Sequence, residues 1–373
     1  MFIDTHHTAD IVDAILKLDI REQDILLLLV AESEDIDVPA LIKALNAASL
    51  RFVGGIFPGV IHNSRYHQQG VVVKKLQSVA PPILVQGLDQ PDFKWPELSG
   101  WVEQAQRPVT AWIMIDGLTA NISHFLSGLY DQLGERVNFL GAGAGSLSLQ
   151  QQPCLFSPEG LFQDAAFICF LDYKARLGVK HGWNRLAGPI VATRTEKNRI
   201  YELNWEMAFK VYQRYIESDA GCRLEASNFF EIAKAYPFGI SKVNSEEVVR
   251  DPIMVEEDGA LVCVGEVPEN TVLNILKGDA DSLITAAAEA VEQTLGGSLD
   301  PQKVRHTLVV DCISRALYLE GRLEEELEQV RQRVKAARDE VSPQGVLSLG
   351  EISSYGDGYL EFFNKTIVIG SLY

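Results

Sequence analysis

The chain has 373 residues, of which 47% are apolar and 23% are charged, and this is the composition of an ordinary globular protein. Its 51 acidic residues outnumber its 33 basic residues, which gives a formal net charge of −18. A surface this acidic repels phosphate backbones and anionic lipids, so the composition argues against nucleic acid and membrane surfaces as partners.

The sequence shows no targeting signal and no membrane-spanning segment. The longest apolar stretch, Ile25 to Ala31, is far too short to cross a bilayer. Residues 1–19 lack the basic region and the apolar core of a secretory signal. The five cysteines are widely spaced and contain no C-x-x-C pair, which is typical of reduced thiols. These patterns predict a soluble, cytoplasmic protein.

The first half of the chain alternates segments of strand and helix character. Ile25 to Ala31 is an apolar run of strand length, and Asp37-Val38-Pro39 is a helix-start signal before apolar residues at helical spacing. Val109 to Asp116 predicts a buried strand, followed by an amphipathic helix that ends at Gly134. A further strand, Val137 to Leu140, enters a glycine loop. This alternation predicts a sheet covered by helices.

The glycine loop at residues 141–145 invites comparison with a dinucleotide-binding turn. Such a turn needs glycines at its first, third and sixth positions, followed by a helix that faces the pyrophosphate. Here Ser146 takes the sixth position, and the residues up to Pro153 have no helical apolar period. The pattern therefore argues against a nucleotide site.

From about Cys154 the pattern changes to successive strands with short turns, which predicts an antiparallel meander. Two helices are expected at Glu206 to Glu217 and at Ala226 to Ala235, and Asp258-Gly259 predicts a hairpin turn in a later group of strands. No internal repeat is evident. We therefore expect a mixed α/β (α+β) fold with two mixed-sheet domains, 1–195 and 196–373, with covering helices and the antiparallel meander between them.

Several segments, taken in order, resemble the FIST domain family. Two segments resemble the amino-terminal domain of the family: VGGIFPGVI (53–61) and IDGLTANISHFLSGLYDQLGERVNFLGAGAGS (115–146). One segment resembles the middle signature of the family: HGWNRLAGPIVATRTEKNRIYELNWEMAFKVYQRYI (181–216). Four segments resemble its carboxy-terminal domain: DGALVCVGEVPENTVLNILKGDADSL (258–283), DCISRALYL (311–319), GEIS (350–353) and FFNKTIVI (362–369). The resemblance covers nearly the whole chain and lies in the order and spacing of the segments, since no single motif is specific. The resemblance implies that the glycine loop is a turn at the end of a strand, where two backbone segments approach each other closely.

The resemblance implies an intracellular sensory module for a small ligand. FIST domains act alone or fused to signalling modules, and this chain shows no second module, so its output would pass through a separate partner. Some free-standing bacterial members are haem proteins that sense nitric oxide and control a histidine kinase. Haem b and a histidine kinase are therefore the cofactor and the partner that the resemblance implies.

Two family motifs are altered in this sequence. Where many members have a Cys-Ser-Thr-x-Gly-Glu run, this chain has Gly55 to Val60, which lacks those polar side chains. The motif Cys-x-Gly-Arg is present as Cys312-Ile313-Ser314-Arg315, so a serine replaces a flexible glycine. Any chemistry that depends on the first motif is absent here.

A haem would need an axial ligand from the protein and an apolar pocket, because the covalent attachment motif C-x-x-C-H is missing. Of the seven histidines, His181 is the first candidate, because it ends an apolar strand beside Gly182 and Trp183. His62, on a turn-rich link beside Tyr66, is the second candidate.

A sensor without haem would bind a polar ligand, such as an amino-acid-like metabolite, through convergent polar groups in an apolar cleft. Candidates for these groups, at the ends of apolar strands, are Asp116, Arg315, Glu351 and Asn364. Arg315 could pair with a carboxylate, and Asp116 or Glu351 with an ammonium group. The alternative is that these residues satisfy one another inside the protein.

No common catalytic motif, such as G-x-S-x-G, H-E-x-x-H or a P-loop, occurs in the sequence. We therefore predict no catalytic residue and expect a non-catalytic sensor. A ligand-free interaction adaptor and an unrecognised enzyme remain as alternatives.

Overall fold

A computed structural model describes residues 1–33, 35–98, 100–101, 109–242, 246–296, 300–354 and 359–373. In these ranges helices cover four β-sheets, so the expected mixed α/β fold is confirmed. The helices are α1 (Thr8–Leu16), α2 (Val38–Ala47), α3 (Ile122–Leu133), α4 (Ala208–Ala220), α5 (Phe229–Ala233), α6 (Ala280–Leu295), α7 (Ile313–Leu319) and α8 (Leu323–Ala337).

The strands of the first half of the chain are β1 (Phe2–Ile3), β2 (Asp24–Ala31), β3 (Phe52–Phe57), β4 (Gly59–His62), β5 (Arg65–His67), β6 (Val71–Gln77), β7 (Ile83–Gln86), β8 (Val109–Asp116), β9 (Val137–Ala144), β10 (Leu155–Ser157), β11 (Gly160–Phe162), β12 (Ala165–Leu171) and β13 (Ala175–Lys180). The strands of the second half are β14 (Asn184–Glu196), β15 (Arg199–Leu203), β16 (Glu206–Met207), β17 (Phe238–Ile240), β18 (Val248–Val255), β19 (Leu261–Val264), β20 (Thr271–Lys277), β21 (His306–Cys312), β22 (Pro343–Ser348), β23 (Glu351–Ser353), β24 (Glu361–Phe363) and β25 (Ile367–Leu372).

The local signals of the first half produce the expected elements. Every residue of β2 is buried, as its continuous apolar run requires. The carboxylate of Asp37 accepts the N–H of Ala40 over 2.9 Å and caps α2, and Pro39 lies in the first turn. Sequence pattern and capping therefore fix this strand and helix.

Three of the four sheets share one topology around a central pair of parallel strands. The pairs are β2 and β3, joined by α2, then β8 and β9, joined by α3, and finally β21 and β22, joined by α7 and α8. In each sheet a later strand returns to pair antiparallel with the first member: β6 with β2, β12 with β8, and β25 with β21. The chain thus contains three related units that the sequence pattern did not reveal.

The three units are interlocked, because the strand after each parallel pair joins a neighbouring sheet. In this way β4 pairs with β22, β10 pairs with β3, and β23 pairs with β9. Each unit therefore gives one strand to the next, in a closed cycle.

The parallel pairs end at a common centre where backbone segments meet. Gly145, just after β9, donates its N–H to the carbonyl of Ile56 over 2.9 Å. Leu349, just after β22, donates in the same way to Gly143 over 2.9 Å. Pro58 follows β3 as Gly145 follows β9 and Leu349 follows β22, but a proline has no N–H, so it cannot donate the corresponding hydrogen bond. The glycine loop is therefore a close backbone approach, as the sequence analysis expected.

The fourth sheet is a closed antiparallel barrel formed by β14, β20, β17, β18, β19 and β15, with β14 and β15 closing the ring. Helix α4 packs on it, with the ring of Tyr212 5.2 Å from that of Phe238. Along the sequence, the strands of the barrel come between β13 and α6. Both of these elements pack in the third unit.

The segments expected to form a meander are distributed over the molecule. Strand β12 lies in the sheet of the second unit, β13 lies in that of the third, and β14 enters the barrel, where it pairs with β15. Residue 195, the expected domain boundary, lies inside β14. The boundary stays a prediction.

Candidate functional site

A cavity of about 440 Å³ lies between the second and third units and the barrel, and we name it the central cavity. Its floor includes residues 117–119, which follow β8, and Ile313 and Ser314, which follow β21. Ligands of open α/β sheets bind outside the carboxyl ends of parallel strands, and pockets for small ligands measure roughly 300–1,000 Å³. The apolar lining consists mainly of Ile122, Phe230, Ile253, Val264, Leu317, Leu349 and Phe362.

Asn364 brings an unbonded amide to the wall of the central cavity. Its side chain is 1% exposed, and neither Oδ1 nor Nδ2 has a hydrogen-bond partner among the described residues. A buried polar group left without a partner costs roughly 1–3 kcal/mol. A ligand that bonds this amide would offset that cost.

A buried ion pair lies in the same wall. Asp251 Oδ1 is 3.3 Å from Lys365 Nζ, and Ser314 donates its hydroxyl to the other oxygen of Asp251. Lys365 also donates to Ser314 Oγ over 3.1 Å and to the carbonyl of Lys234 over 2.9 Å. Burial raises the pKa of Asp251, and the neighbouring Lys365 opposes that rise. This group is polar but carries no net charge.

Arg250, on β18, brings a buried guanidinium to the central cavity. It is 6% exposed, and its hydrogen bonds go to main-chain carbonyls: Nε to Glu266 over 2.8 Å, and Nη1 to Val249 over 3.0 Å and to Phe362 over 3.1 Å. Burial is the main reason that its pKa is lowered. The sequence analysis missed Arg250, although a charged pair, Arg250-Asp251, inside an apolar strand was a signal that could have identified it.

Two buried thiols, those of Cys263 and Cys312, complete the polar part of the lining. Burial raises the pKa of both thiols far above neutrality, so they stay protonated. They contribute neutral and weakly polar surface rather than nucleophiles or metal ligands. Among the described residues, no group of three or more His, Cys, Asp and Glu side chains is arranged to hold a metal ion.

Of the four predicted ligand-binding residues, only Asn364 lines the central cavity. Asp116 lies beneath the floor, where its carboxylate accepts the N–H of Leu118 over 3.0 Å, the N–H of Asp164 over 2.9 Å and Nε2 of Gln151 over 2.9 Å. These bonds fix the loop after β8. Asp116 thereby shapes the cavity, and its role as a ligand contact stays a prediction.

Arg315 and Glu351 are also bonded within the protein. Arg315 Nη2 lies 2.6 Å from Glu326 Oε2, and both side chains are fully buried. Glu351 accepts the hydroxyl of Ser348 over 2.7 Å and the N–H of Thr366 over 3.3 Å. Their roles as ligand contacts stay predictions as well.

His181 is held inside the protein, directly after β13. Its Nδ1 accepts the N–H of Trp183 over 2.9 Å, and its Nε2 is 3.7 Å from Glu246 Oε2. Burial is the main cause that lowers the pKa of His181. His181 is not among the lining residues of the three cavities found in the described ranges. An axial ligand needs a ring nitrogen that faces the iron, and here Nδ1 is hydrogen-bonded and Nε2 faces a carboxylate, so these surroundings do not fit haem.

His62 borders a second cavity of about 500 Å³, which we name the His62 cavity. Its ring stacks on Phe2 with the centroids 5.6 Å apart, and its Nε2 is 3.5 Å from Asn63 Nδ2. Burial lowers the pKa of His62 to about 4, so the ring is neutral near pH 7, the form that ligates iron. The ring therefore fits ligation better than that of His181, although the other walls are mainly polar: Asn63, Ser64, Arg65, His67, Arg331, Lys335, Asp339, Val341 and Ser342.

Comparison with protein-family models gives two matches. The FIST N domain matches residues 24–206, and the FIST C domain matches residues 208–354. No curated protein sequence matches the chain. In the described ranges, no helix combines the length and the apolar character needed to cross a bilayer.

Proposed function

Because this chain belongs to the FIST family, whose domains are sensory, signal-transduction domains, we propose that it senses a small amino-acid-like metabolite without haem. The metabolite binds in the central cavity, and the chain signals through a separate partner protein. The observation that carries this proposal is the amide of Asn364, which is buried in the cavity wall and whose two polar atoms bond no described residue.

The position of the central cavity supports a sensory role. Its walls come from the second unit, through residues 117–119, from the third unit, through Ile313 and Ser314, and from the barrel, through residues 263–266. A ligand in this place contacts all three parts at once. It can therefore favour one arrangement of these parts over another, provided that it binds the two arrangements with different affinity.

The test replaces Asn364 with leucine and measures thermal unfolding with each proteinogenic amino acid. In wild type, a binding amino acid raises Tm with concentration, since it stabilises only the folded state. In Asn364→Leu we expect no such rise, while Tm without ligand stays equal or increases, because an unsatisfied amide is removed. Asn184→Leu is the matched control, since Asn184 is exposed and does not line the cavity.

Two outcomes would contradict the metabolite proposal. One is a wild-type protein that responds to no amino acid and to no member of a wider metabolite library, which would favour a ligand-free adaptor. The other is Asn364→Leu with a lower Tm and unchanged ligand response, which would make Asn364 a structural residue.

A haem-based nitric oxide sensor that regulates a histidine kinase is the second candidate. The neutral ring of His62 beside a cavity of about 500 Å³ supports it, and Arg65, Arg331 and Lys335 there could face the carboxylates of haem. The test is titration of haemin with and without nitric oxide. A saturable Soret band that shifts with nitric oxide and is lost in His62→Ala, but not in His181→Ala, supports this candidate. A broad band that never saturates contradicts it.

A further inference from the structure

Arg250 is a buried cation that forms no ion pair with a carboxylate in the described part of the chain. Among the described residues its partners are three main-chain carbonyls, and its Nη2 has no hydrogen-bond partner. Buried charges in proteins are normally paired, because an isolated charge is expensive to remove from water. Arg250 is one of the residues that line the central cavity.

Arg315 provides the comparison within the same molecule. It is as deeply buried as Arg250, but both oxygens of the Glu326 carboxylate accept bonds from it, and Asp311 lies 3.8 Å away. Lys365 is likewise paired, with Asp251 at 3.3 Å. Arg315 and Lys365 are thus each accompanied by a carboxylate, whereas Arg250, which lines the central cavity, has none within ion-pair distance among the described residues.

Arg250 and Asn364 meet at one point beside Gly265. A Cβ atom added to Gly265 would lie 3.1 Å from Nε of Arg250 and 3.2 Å from Oδ1 of Asn364. Gly265 also has φ +80°, a conformation that favours glycine. A side chain at this position would therefore crowd both the guanidinium of Arg250 and the amide of Asn364, which lie on the same side of the cavity lining.

The neighbouring groups limit the charge of the ligand. Asp251 is balanced by Lys365, and the thiols of Cys263 and Cys312 are neutral. At the rim, the exposed Lys197 and the half-buried Glu266 contribute one charge of each sign. Glu361, whose charge acts on Arg250 from outside the lining, is itself paired with Lys242 at 2.5 Å. When Lys365 is counted with its partner Asp251, Arg250 leaves one positive charge in excess among these described residues, which fits one negative charge on the ligand.

We infer that Arg250 binds the carboxylate of the ligand and that Asn364 bonds the polar group on the adjacent carbon. The ligand class is thus a small monocarboxylate with an amino, hydroxy or oxo group at carbon 2 and an apolar body. Nε and Nη1 are bonded to main-chain carbonyls, so the two N–H groups of Nη2 are the donors left for the carboxylate. The amide of Asn364 has one donor atom and one acceptor atom, so it can bond any of the three substituents. This inference rests on the proposed function, because it assigns the ligand to the central cavity.

The experiment uses matched compounds on the full chain, with binding followed by calorimetry. The probes are leucine, leucinamide, 2-hydroxy-4-methylpentanoate and 4-methyl-2-oxopentanoate, together with the corresponding four compounds of phenylalanine. In wild type, at least one acid binds and its amide binds about 10- to 100-fold more weakly, the range expected when a charged hydrogen bond is lost. Comparison among the acids identifies the group at carbon 2.

Two conservative variants test the assignment of the residues. Arg250→Lys keeps the charge, but an ammonium group cannot bond the three main-chain carbonyls and the ligand in the geometry of the guanidinium. Acids should therefore bind about 10-fold or more weakly, while the affinity of the amide changes little. Asn364→Asp replaces the amide nitrogen with an oxygen and so places a carboxylate beside Arg250. We expect it to weaken the binding of the acids and to leave the binding of leucinamide unchanged or tighter. Circular dichroism and Tm without ligand confirm folding, and the comparison of acid with amide in wild type needs no variant.

The outcomes separate this inference from the proposed function. If amides bind wild type as tightly as acids, or if Arg250→Lys leaves the preference for acids unchanged, the role of Arg250 is overturned while the cavity remains the ligand site. If neither the probes nor a wider metabolite library binds wild type, the proposed function fails and the inference fails with it.

Discussion

Arg315 on α7 and Glu326 on α8 form an ion pair that is completely buried, with Nη2 2.6 Å and Nε 3.0 Å from the same carboxylate oxygen. The guanidinium also donates to the carbonyls of His181 and Leu283. The pair thereby ties two consecutive helices of the third unit to the end of β13 and to α6. Ser314, the residue before Arg315, lines the central cavity, so the pair also fixes part of the cavity floor.

Removal of one partner of this pair should destabilise the protein strongly. Glu326→Ala removes the carboxylate that is hydrogen-bonded to the buried guanidinium of Arg315 and leaves Asp311, 3.8 Å away, as the nearest one described. We expect a loss of about 3 kcal/mol in the free energy of unfolding. Urea denaturation followed by circular dichroism measures it. Glu328→Ala, on the same helix, is the control: Glu328 and Arg331 are each about one-third exposed, and the expected loss is about 0–1 kcal/mol. Equal losses in the two variants would contradict the structural role of the buried pair.

Glu351 should give the protein a component of stability that falls as pH rises. Burial raises the pKa of this carboxyl from its ordinary value of 4.5 to about 8. Because the folded state holds the proton more tightly, the contribution of Glu351 is complete below pH 4.5 and is lost as pH rises through 8. Glu351→Gln stays neutral, so its stability relative to wild type should rise by up to about 1.4 kcal/mol per pH unit in this window.

Urea denaturation of wild type and Glu351→Gln at several pH values between 5 and 8 measures this difference. Subtraction removes the contributions of titrating groups that do not interact with Glu351, including His62. Glu328→Gln is the control: a hydrogen bond from Arg331 is the main cause that lowers the pKa of Glu328 to about 2, so its difference from wild type should be flat in the same window. A flat difference for Glu351→Gln would show that Glu351 is ionised in the folded state.

Local patterns were sufficient to predict individual elements of this fold. Sequence analysis correctly predicted the buried strand β2, the cap at Asp37 and the glycine loop. Each of these features depends on residues that are close together in the sequence. The exchange of strands among the three units was not predictable in this way. Strands β12, β13 and β14 follow one another closely but pair in three different sheets, and side-chain alternation does not specify a pairing partner.

The candidate site could be predicted only in part, for a similar reason. Sequence analysis placed Asp116, Arg315, Glu351 and Asn364 at strand ends within family motifs, but sequence alone cannot distinguish a bonded polar group from a free one. The partner of Arg315 lies on another helix at Glu326, whereas the amide of Asn364 has no partner among the described residues. Arg250 lies within a strand rather than at its end, so the search at strand ends missed it.

Gly178 on β13 should not tolerate a side chain. A Cβ atom at this position would lie 1.8 Å from the carbonyl oxygen of Ala290 on α6, and that backbone cannot move without displacing the helix. We expect Gly178→Ala to lose about 3 kcal/mol or more in the free energy of unfolding. Gly321→Ala is the control, because no atom lies within 4 Å of the added Cβ, and its stability should change by less than about 0.5 kcal/mol. Urea denaturation measures both variants, and similar stabilities would mean that α6 does not pack this closely on β13.

Glu32, directly after β2, should control ligand affinity from outside the central cavity. Its carboxylate accepts the hydroxyl of Ser146 and, over 2.9 Å, the N–H of Leu147, so it anchors the loop that brings Leu147 and Leu149 to the cavity. Both leucines are 46% exposed, so this anchor rather than burial holds them in place. We expect Glu32→Ala to raise the Kd of a bound metabolite about 10-fold, because part of the binding energy must then order the loop.

Calorimetry with the tightest compound from the metabolite screen measures this effect on the full chain. Glu159→Ala is the control, since Glu159 is exposed and its side chain does not line the central cavity. Glu32→Gln keeps an acceptor for the N–H of Leu147, so its Kd should lie between those of wild type and Glu32→Ala. If Glu32→Ala binds the metabolite as tightly as wild type does, the loop carrying Leu147 and Leu149 contributes nothing to the ligand site, and the cavity wall that matters is the one formed by the barrel and the third unit.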